Sequence, residues 1–235
     1  MALVKYGGGI IQMSGSIAGN TYARNRYGNY ARARTKPVNP NSERQVNIRA
    51  AVVHVTEEWS ETLSAAQRAG WGEYAAAVAM QNKLGESIHL SGFNHFVRSN
   101  VFRQYCGNIG QVNTAPVIQT LADTDATLTP APQTDQTVDF TYDDTKDWCD
   151  EDGAEMVMFA GHPINASRNF FAGPYRYAVR ILGNSGAPPS SPLEGVSMPW
   201  EYQGGHGVWF YARITRADGR LSQKWYQGPL EFPTV

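Results

Sequence analysis

Cysteine, long hydrophobic runs and acidic residues at the N-terminal end are what this sequence has least of. Only two cysteines occur, Cys106 and Cys149. They are too few and too far apart for a disulfide-built scaffold or a thiolate metal site. No apolar stretch reaches the roughly 18 residues that a membrane helix needs. The opening MALVKYGGGIIQMSGS has one lysine but lacks the hydrophobic run of a secretory leader. The expectation is a chain made and folded in a cytosol, without a membrane partner. In the first fifty positions Glu43 is the sole acidic residue, set against Lys5, Arg24, Arg26, Arg32, Arg34, Lys36, Arg44 and Arg49. The formal net charge of -1 therefore hides a basic end and an acidic remainder, densest from Asp143 to Glu155. Such polarity predicts a basic arm with an anionic or multi-subunit partner.

The motifs of catalysis are missing as well. His54, His89, His95, His162 and His206 form neither H-E-x-x-H nor another zinc spacing. The glycines of YGGGIIQMSGS lack the Gly-Lys-Ser/Thr that a phosphate loop requires. DDTKDWCDEDGAE has carboxylates but neither the full oxygen series nor the closing glutamate of a calcium loop, and predicts a solvated acidic connection. Paired carboxylates there would serve a glycosidase only at a separation that sequence does not supply. Neither enzyme activity, metal nor cofactor is expected.

What is present falls into an α+β chain of three parts. Residues 1–38 are rich in Gly, Asn, Arg and Tyr, and end at KPVNPN, where two prolines interrupt regular structure. Residues 39–108 predict a small three-helix domain. Ser42 with Gln45 and Ser64 with Gln67 have capping-box spacing. Ile48, Val52, Val55 and Trp59 form one helical stripe, Trp71, Ala75 and Val78 a second, and Phe93, Phe96, Val97 and Val101 a third. Residues 109–115 serve as a linker. From 116 to 235, TVDFTYD, AEMVMFAGH, YRYAVRIL and GVWFYARITRADGRLSQKWYQG are alternating or aromatic-rich runs broken by turn residues, which predicts an antiparallel β-sandwich. Phe140, Phe159, Tyr177, Trp209 and Tyr211 are its core candidates.

The segment GNTYARNRYGNYARARTKP alternates like a β-hairpin but has almost nothing apolar to bury. With Gly28-Asn29 as the turn, Tyr27 opposes Tyr30, Asn25 opposes Arg32 and Ala23 opposes Arg34, and both faces carry arginine. A two-stranded ribbon of this kind is marginal alone in water. Its order has to come from a neighbouring subunit, an acidic surface or a phosphate backbone. Tyr22, Arg24, Arg26, Tyr27, Tyr30, Arg32, Arg34 and Lys36 are accordingly the candidate partner-binding residues. If the partner is nucleic acid, the arginines meet phosphates and the tyrosines stack on bases. A third reading, a carbohydrate-binding module, would use Trp200, Trp209 and Trp225.

Two resemblances bear on these alternatives. WFYARITRADGRLSQKW, with Ala217-Asp218-Gly219-Arg220 as its turn, resembles the last hairpin of a fibronectin type III or immunoglobulin-like domain, which implies that fold for residues 116–232. SGSIAGNTYARNRYGNYARARTKPVNPNSERQ, followed by WSETLSAAQRAGWGEYA and SGFNHFVRSN, resembles the N-terminal part of uncharacterised tailed-bacteriophage and prophage structural proteins. The matching positions are Asn39-Pro40, Gln45, Leu63 to Trp71 and Gly92 to Phe96. The resemblance implies a virion component, capsid-associated, decorating or at the neck, that partners copies of itself and other virion proteins.

Overall fold

The computed structural model describes residues 2–36, 38–82, 84–107, 110–165 and 167–233. Pro37, the first of the two interrupting prolines, and Ile109, the first linker residue, lie outside them. The described residues form a mixed α+β structure with three α-helices and several antiparallel sheets.

The arm is a four-stranded sheet rather than a two-stranded ribbon. β1 (Ala2–Leu3), β2 (Gly15–Ile17), β3 (Asn20–Asn25) and β4 (Gly28–Ala33) lie in the order β1-β4-β3-β2. The register also differs from the predicted one. Asn25 opposes Gly28, Ala23 opposes Tyr30 and Thr21 opposes Arg32, so the turn is Arg26-Tyr27 and not Gly28-Asn29. The local cause is Asn25, whose side-chain oxygen accepts the Tyr27 amide at 2.9 Å, an Asx turn. Gly28 then takes φ +124°, which a side chain would resist. Arginine still occupies both faces, Arg24 beside Tyr22 on one and Arg32 beside Tyr30 on the other. No described residue of this sheet is fully buried, so its strands gain little from burial.

The helices follow as α1 (Glu43–Glu57), which runs into a π-helical turn over Glu58–Thr62, and α2 (Ala65–Ala77). Then come β5 (Ala79–Gln81), β6 (Ser87–His89) and α3 (Gly92–Phe102). Ser64 and Gln67 form the capping box expected of them. Ser42 makes no side-chain cap; the loop before α1 is held instead by Arg49, whose guanidinium donates to Asn39 at 2.8 Å and Asn41 at 3.3 Å. Val55, Leu63, Trp71, Tyr74, Val78 and Phe96 form the helical core, with Trp71 edge-on to both Tyr74 and Phe96. The α1 stripe goes in only at its C-terminal end: Val55 is fully buried, while Ile48 and Val52 stay 38% exposed. Helices α2 and α3 approach closely at Gly92, where an added Cβ would lie 2.7 Å from the Gly72 nitrogen. Any side chain there would push them apart. The β5–β6 hairpin escaped the sequence reading because its strands, three residues each, are too short to show an alternation.

The remaining strands are β7 (Thr129–Pro132), β8 (Thr137–Thr141), β9 (Glu155–Gly161), β10 (Ile164–Asn165), β11 (Tyr175–Leu182), β12 (Leu193–Ser197), β13 (His206–Thr215) and β14 (Trp225–Glu231). β13 lies between β9 and β14 and also pairs with β10, while β11 flanks β9; β12, β8 and β7 form a separate three-stranded sheet. Alternate residues of both sheets share one core. Met156, Met158, Phe210, Ala212 and Ile214 come from the first, and Val138, Phe140 and Val196 from the second. The opposite side chains of the five-stranded sheet, Val157 and Phe159 among them, pack on Phe102 of α3 and on Leu221. Coverage on both faces explains why β9 is apolar from Met156 to Ala160. At the β13 turn, Gly219 alone has positive φ, at +91°. Its amide donates to the Arg216 carbonyl at 3.0 Å, so the turn is a three-residue loop with glycine in the left-handed position rather than a two-residue Asp-Gly turn.

Polar bonds sew the helices to this sheet. Arg103, only 4% exposed, donates to the carbonyls of Gly110, Gly153 and Arg216 and to the Thr215 hydroxyl. Asn100 both donates to and accepts from the Val112 backbone. Trp71 Nε1 donates to the Asn113 carbonyl at 3.0 Å, and the Tyr74 hydroxyl to Thr120 at 2.9 Å. Described residues of the expected linker thus lie against the helices.

Candidate assembly surface

The N-terminal sheet carries the candidate site. Its tyrosines are half-buried, while Arg24, Arg26, Arg32, Arg34 and Lys36 are all exposed. Among the described residues none of these five cations has a carboxylate within ion-pair distance. Alternation spreads them: Arg24 and Arg32 point to opposite faces, Arg26 sits in the turn, and Arg34 and Lys36 follow β4. Among the described residues two polar side-chain contacts tie the sheet to the helical part, one to α3 and one to the β5–β6 hairpin. Asn94 Nδ2 donates to the Tyr27 hydroxyl at 2.8 Å, and Lys5 meets Glu86 of the β5–β6 hairpin at 2.6 Å. The first uses one of the predicted partner-binding tyrosines to hold the turn. The second is an exposed pair, which adds little.

Comparison with protein-family models, curated proteins and solved structures finds no match.

Other candidates are engaged internally. Trp209 is buried and stacks on Phe171 at 5.8 Å; Trp200 has the Arg176 guanidinium over its ring at 3.4 Å; Trp225 packs against the sheet core. These rings do not combine into an exposed sugar-binding platform. The acidic stretch proves to be structured. Asp143 accepts from Thr145, Asp144 from the Ser191 amide, Asp152 from Ser185, and Glu151 pairs with Arg216, while Trp148 and Cys149 are buried. Its carboxylates tie the loop to Ser185, Ser191 and Arg216, far along the chain, which no spacing in DDTKDWCDEDGAE announces. Among the described residues no three His, Cys, Asp or Glu side chains converge as metal ligands.

Two buried titratable groups set opposite pH dependences. Burial drives the His95 imidazole down to about 4, with Arg98 adding to the shift, and neither ring nitrogen has a partner among the described residues. Its contribution is complete above its unfolded value and is lost as pH falls toward 4. Burial pushes the Glu155 carboxyl up to about 7, with Arg180 at 3.9 Å, too far for a hydrogen bond. Glu155 therefore costs nothing below its unfolded value, and its penalty grows as pH rises through 7. Glu155→Gln is expected to be more stable than the native chain at pH 8 by on the order of 2 kcal/mol, and equal to it near pH 4.5. Urea unfolding at the two pH values checks this; a variant less stable at pH 8 would show that the carboxylate is needed charged.

Sequence reasoning missed one cluster, Arg98, Arg213 and Lys224, because it joins α3 to residues far along the chain on and after β13. The alternation of Tyr211 with Arg213 on the sheet's outer face was its one legible sign.

Proposed function

We propose that this chain is a structural component of a tailed-bacteriophage virion, capsid-associated or at the neck, present in several copies. Its N-terminal sheet docks on neighbouring subunits. The observation that carries this reading is a four-stranded sheet in which no described residue is fully buried, while its five exposed cations have no carboxylate partner among the described residues. A sheet with so little burial gains its order from contacts made in an assembly. The phage-like motifs that run from this sheet to α3 favour a virion as that assembly. Two sheets with one core and a β13–β14 hairpin favour an immunoglobulin-like sandwich for the C-terminal part. Its acidic surface suits an outward-facing position, away from packaged DNA. No catalytic role is assigned.

The experiment is limited trypsin digestion. Free protein is cut first within Arg24 to Lys36, while the sandwich survives; in purified particles the same bonds are protected by about tenfold or more. Equal rates in both states would refute docking through this sheet. Nucleic acid is the second reading, favoured by the same unpaired arginines. Binding of the purified protein to duplex DNA, falling linearly with salt on logarithmic axes, would place it first.

A further inference from the structure

Between α1, α3 and the outer face of the five-stranded sheet lies an open cleft of about 330 Å³. Its walls are apolar, with Ile48, Val97, Val101 and Tyr211, yet three cations line it, Arg98, Arg213 and Lys224, and no carboxylate does. None of the three forms an ion pair among the described residues. Arg98 donates to the Leu221 and Ser222 carbonyls at 2.8 and 2.6 Å, and Arg213 donates to the same Ser222 carbonyl at 3.2 Å. Two guanidinium groups thus converge on one backbone oxygen. The Arg213 Nε is buried without an acceptor among the described residues, and the Lys224 ammonium lies 4.7 Å over the Tyr211 ring.

Like charges gathered in an apolar cleft are costly, and dipoles of two carbonyls and a ring face offset them only in part. The strain is visible in Arg98, whose pKa is pushed down to about 9 by burial and by Arg213. The lysine is displaced downward for the same two reasons. A bound carboxylate would remove the penalty. Beyond Tyr211 the surface continues through Tyr175 to Tyr226, 56% exposed, and to the half-buried Phe171, whose neighbour in sequence Phe170 is 74% exposed. That aromatic strip is longer than a small anion covers and suits alternating side chains of an extended segment. A nucleic-acid backbone, hydrated along its length, has no use for the apolar walls.

We propose that the cleft and its aromatic strip receive an acidic segment of a neighbouring protein, in which a Glu or Asp lies beside Leu or Phe. The carboxylate sits among Arg98, Arg213 and Lys224, and the apolar side chains cover Val97, Val101 and Tyr211. The assembly reading enters only in naming a neighbour as the source. Binding is measured on the isolated full chain, so failure here and failure of virion incorporation are separate results.

The probes for calorimetric titration are acetyl-Leu-Glu-Phe-Glu-Leu-amide, its Gln-for-Glu counterpart, dodecanoate and an oligothymidylate. The acidic peptide is expected to bind with sub-millimolar Kd, and the glutamine peptide about tenfold more weakly or worse. Lys224→Met and Arg213→Met should each weaken the acidic peptide by about tenfold while leaving the unfolding midpoint unchanged or raised, since both remove unbalanced charge. Lys224 is exposed and makes no hydrogen bond among those described, so its variant carries the test even if Arg213→Met fails to fold. Equal binding of the two peptides, or binding unaffected by Lys224→Met, would overturn the proposal. So would tighter binding of dodecanoate or the oligothymidylate.

Discussion

Arg103→Ala is expected to destabilise the protein by about 3–5 kcal/mol, more than any other single truncation between the helices and the sheet. The guanidinium reaches Gly110, Gly153, Thr215 and Arg216, so one side chain satisfies acceptors from segments far apart in sequence. At 4% exposure, water cannot replace it without opening the interface. Alanine would leave those acceptors unpaired and remove the packed stem as well. Arg103→Lys should recover less than half of the loss, because a single ammonium cannot reproduce the planar fork. Urea unfolding followed by tryptophan fluorescence checks both variants. Alanine should also separate the helical transition from that of the sheet. A loss below about 1 kcal/mol with one cooperative transition would mean that the apolar contacts around Phe102 suffice to hold the parts together.

Much of the fold is legible where local chemistry and burial agree. Ser64 and Gln67 cap α2, and Trp71, Ala75 and Val78 go into the core as their spacing requires. The apolar run of β9 and the alternation of β13 also read correctly as strands. Errors arise where two local signals compete or the deciding contact is distant. In the arm, Gly28-Asn29 looks like the turn, but the side chain of Asn25 closes one two residues earlier and moves the whole register. At Ser42 the capping-box spacing is present and the bond is not, because Arg49 holds the preceding loop through Asn39 and Asn41. Ile48 and Val52 keep a helical stripe without entering the core; both lie on the half of α1 that no other element covers fully. TPAP and LEGVS form β7 and β12 despite proline and glycine, since edge positions tolerate both. The candidate arm residues were legible from composition. The cleft was not, because Arg98 and Lys224 meet only after the chain folds.

Arg24→Glu combined with Arg26→Glu is expected to remove the protein from assembled particles while leaving its fold intact. Both side chains are exposed and neither has a carboxylate partner among the described residues, so the isolated molecule loses no contact of theirs. Against an acidic neighbour, each reversal turns an attraction into a repulsion. Like-charge juxtaposition at an interface costs several kcal/mol, which lowers occupancy by about a hundredfold. The C-terminal sheets should unfold at the same urea concentration as in the native chain. The decisive measurement is competition: native and doubly reversed chains are expressed together during phage production, particles are purified, and both forms are counted by mass spectrometry. An assembly sheet predicts that the variant is depleted about a hundredfold in particles relative to the lysate; equal proportions in particles and lysate would contradict it.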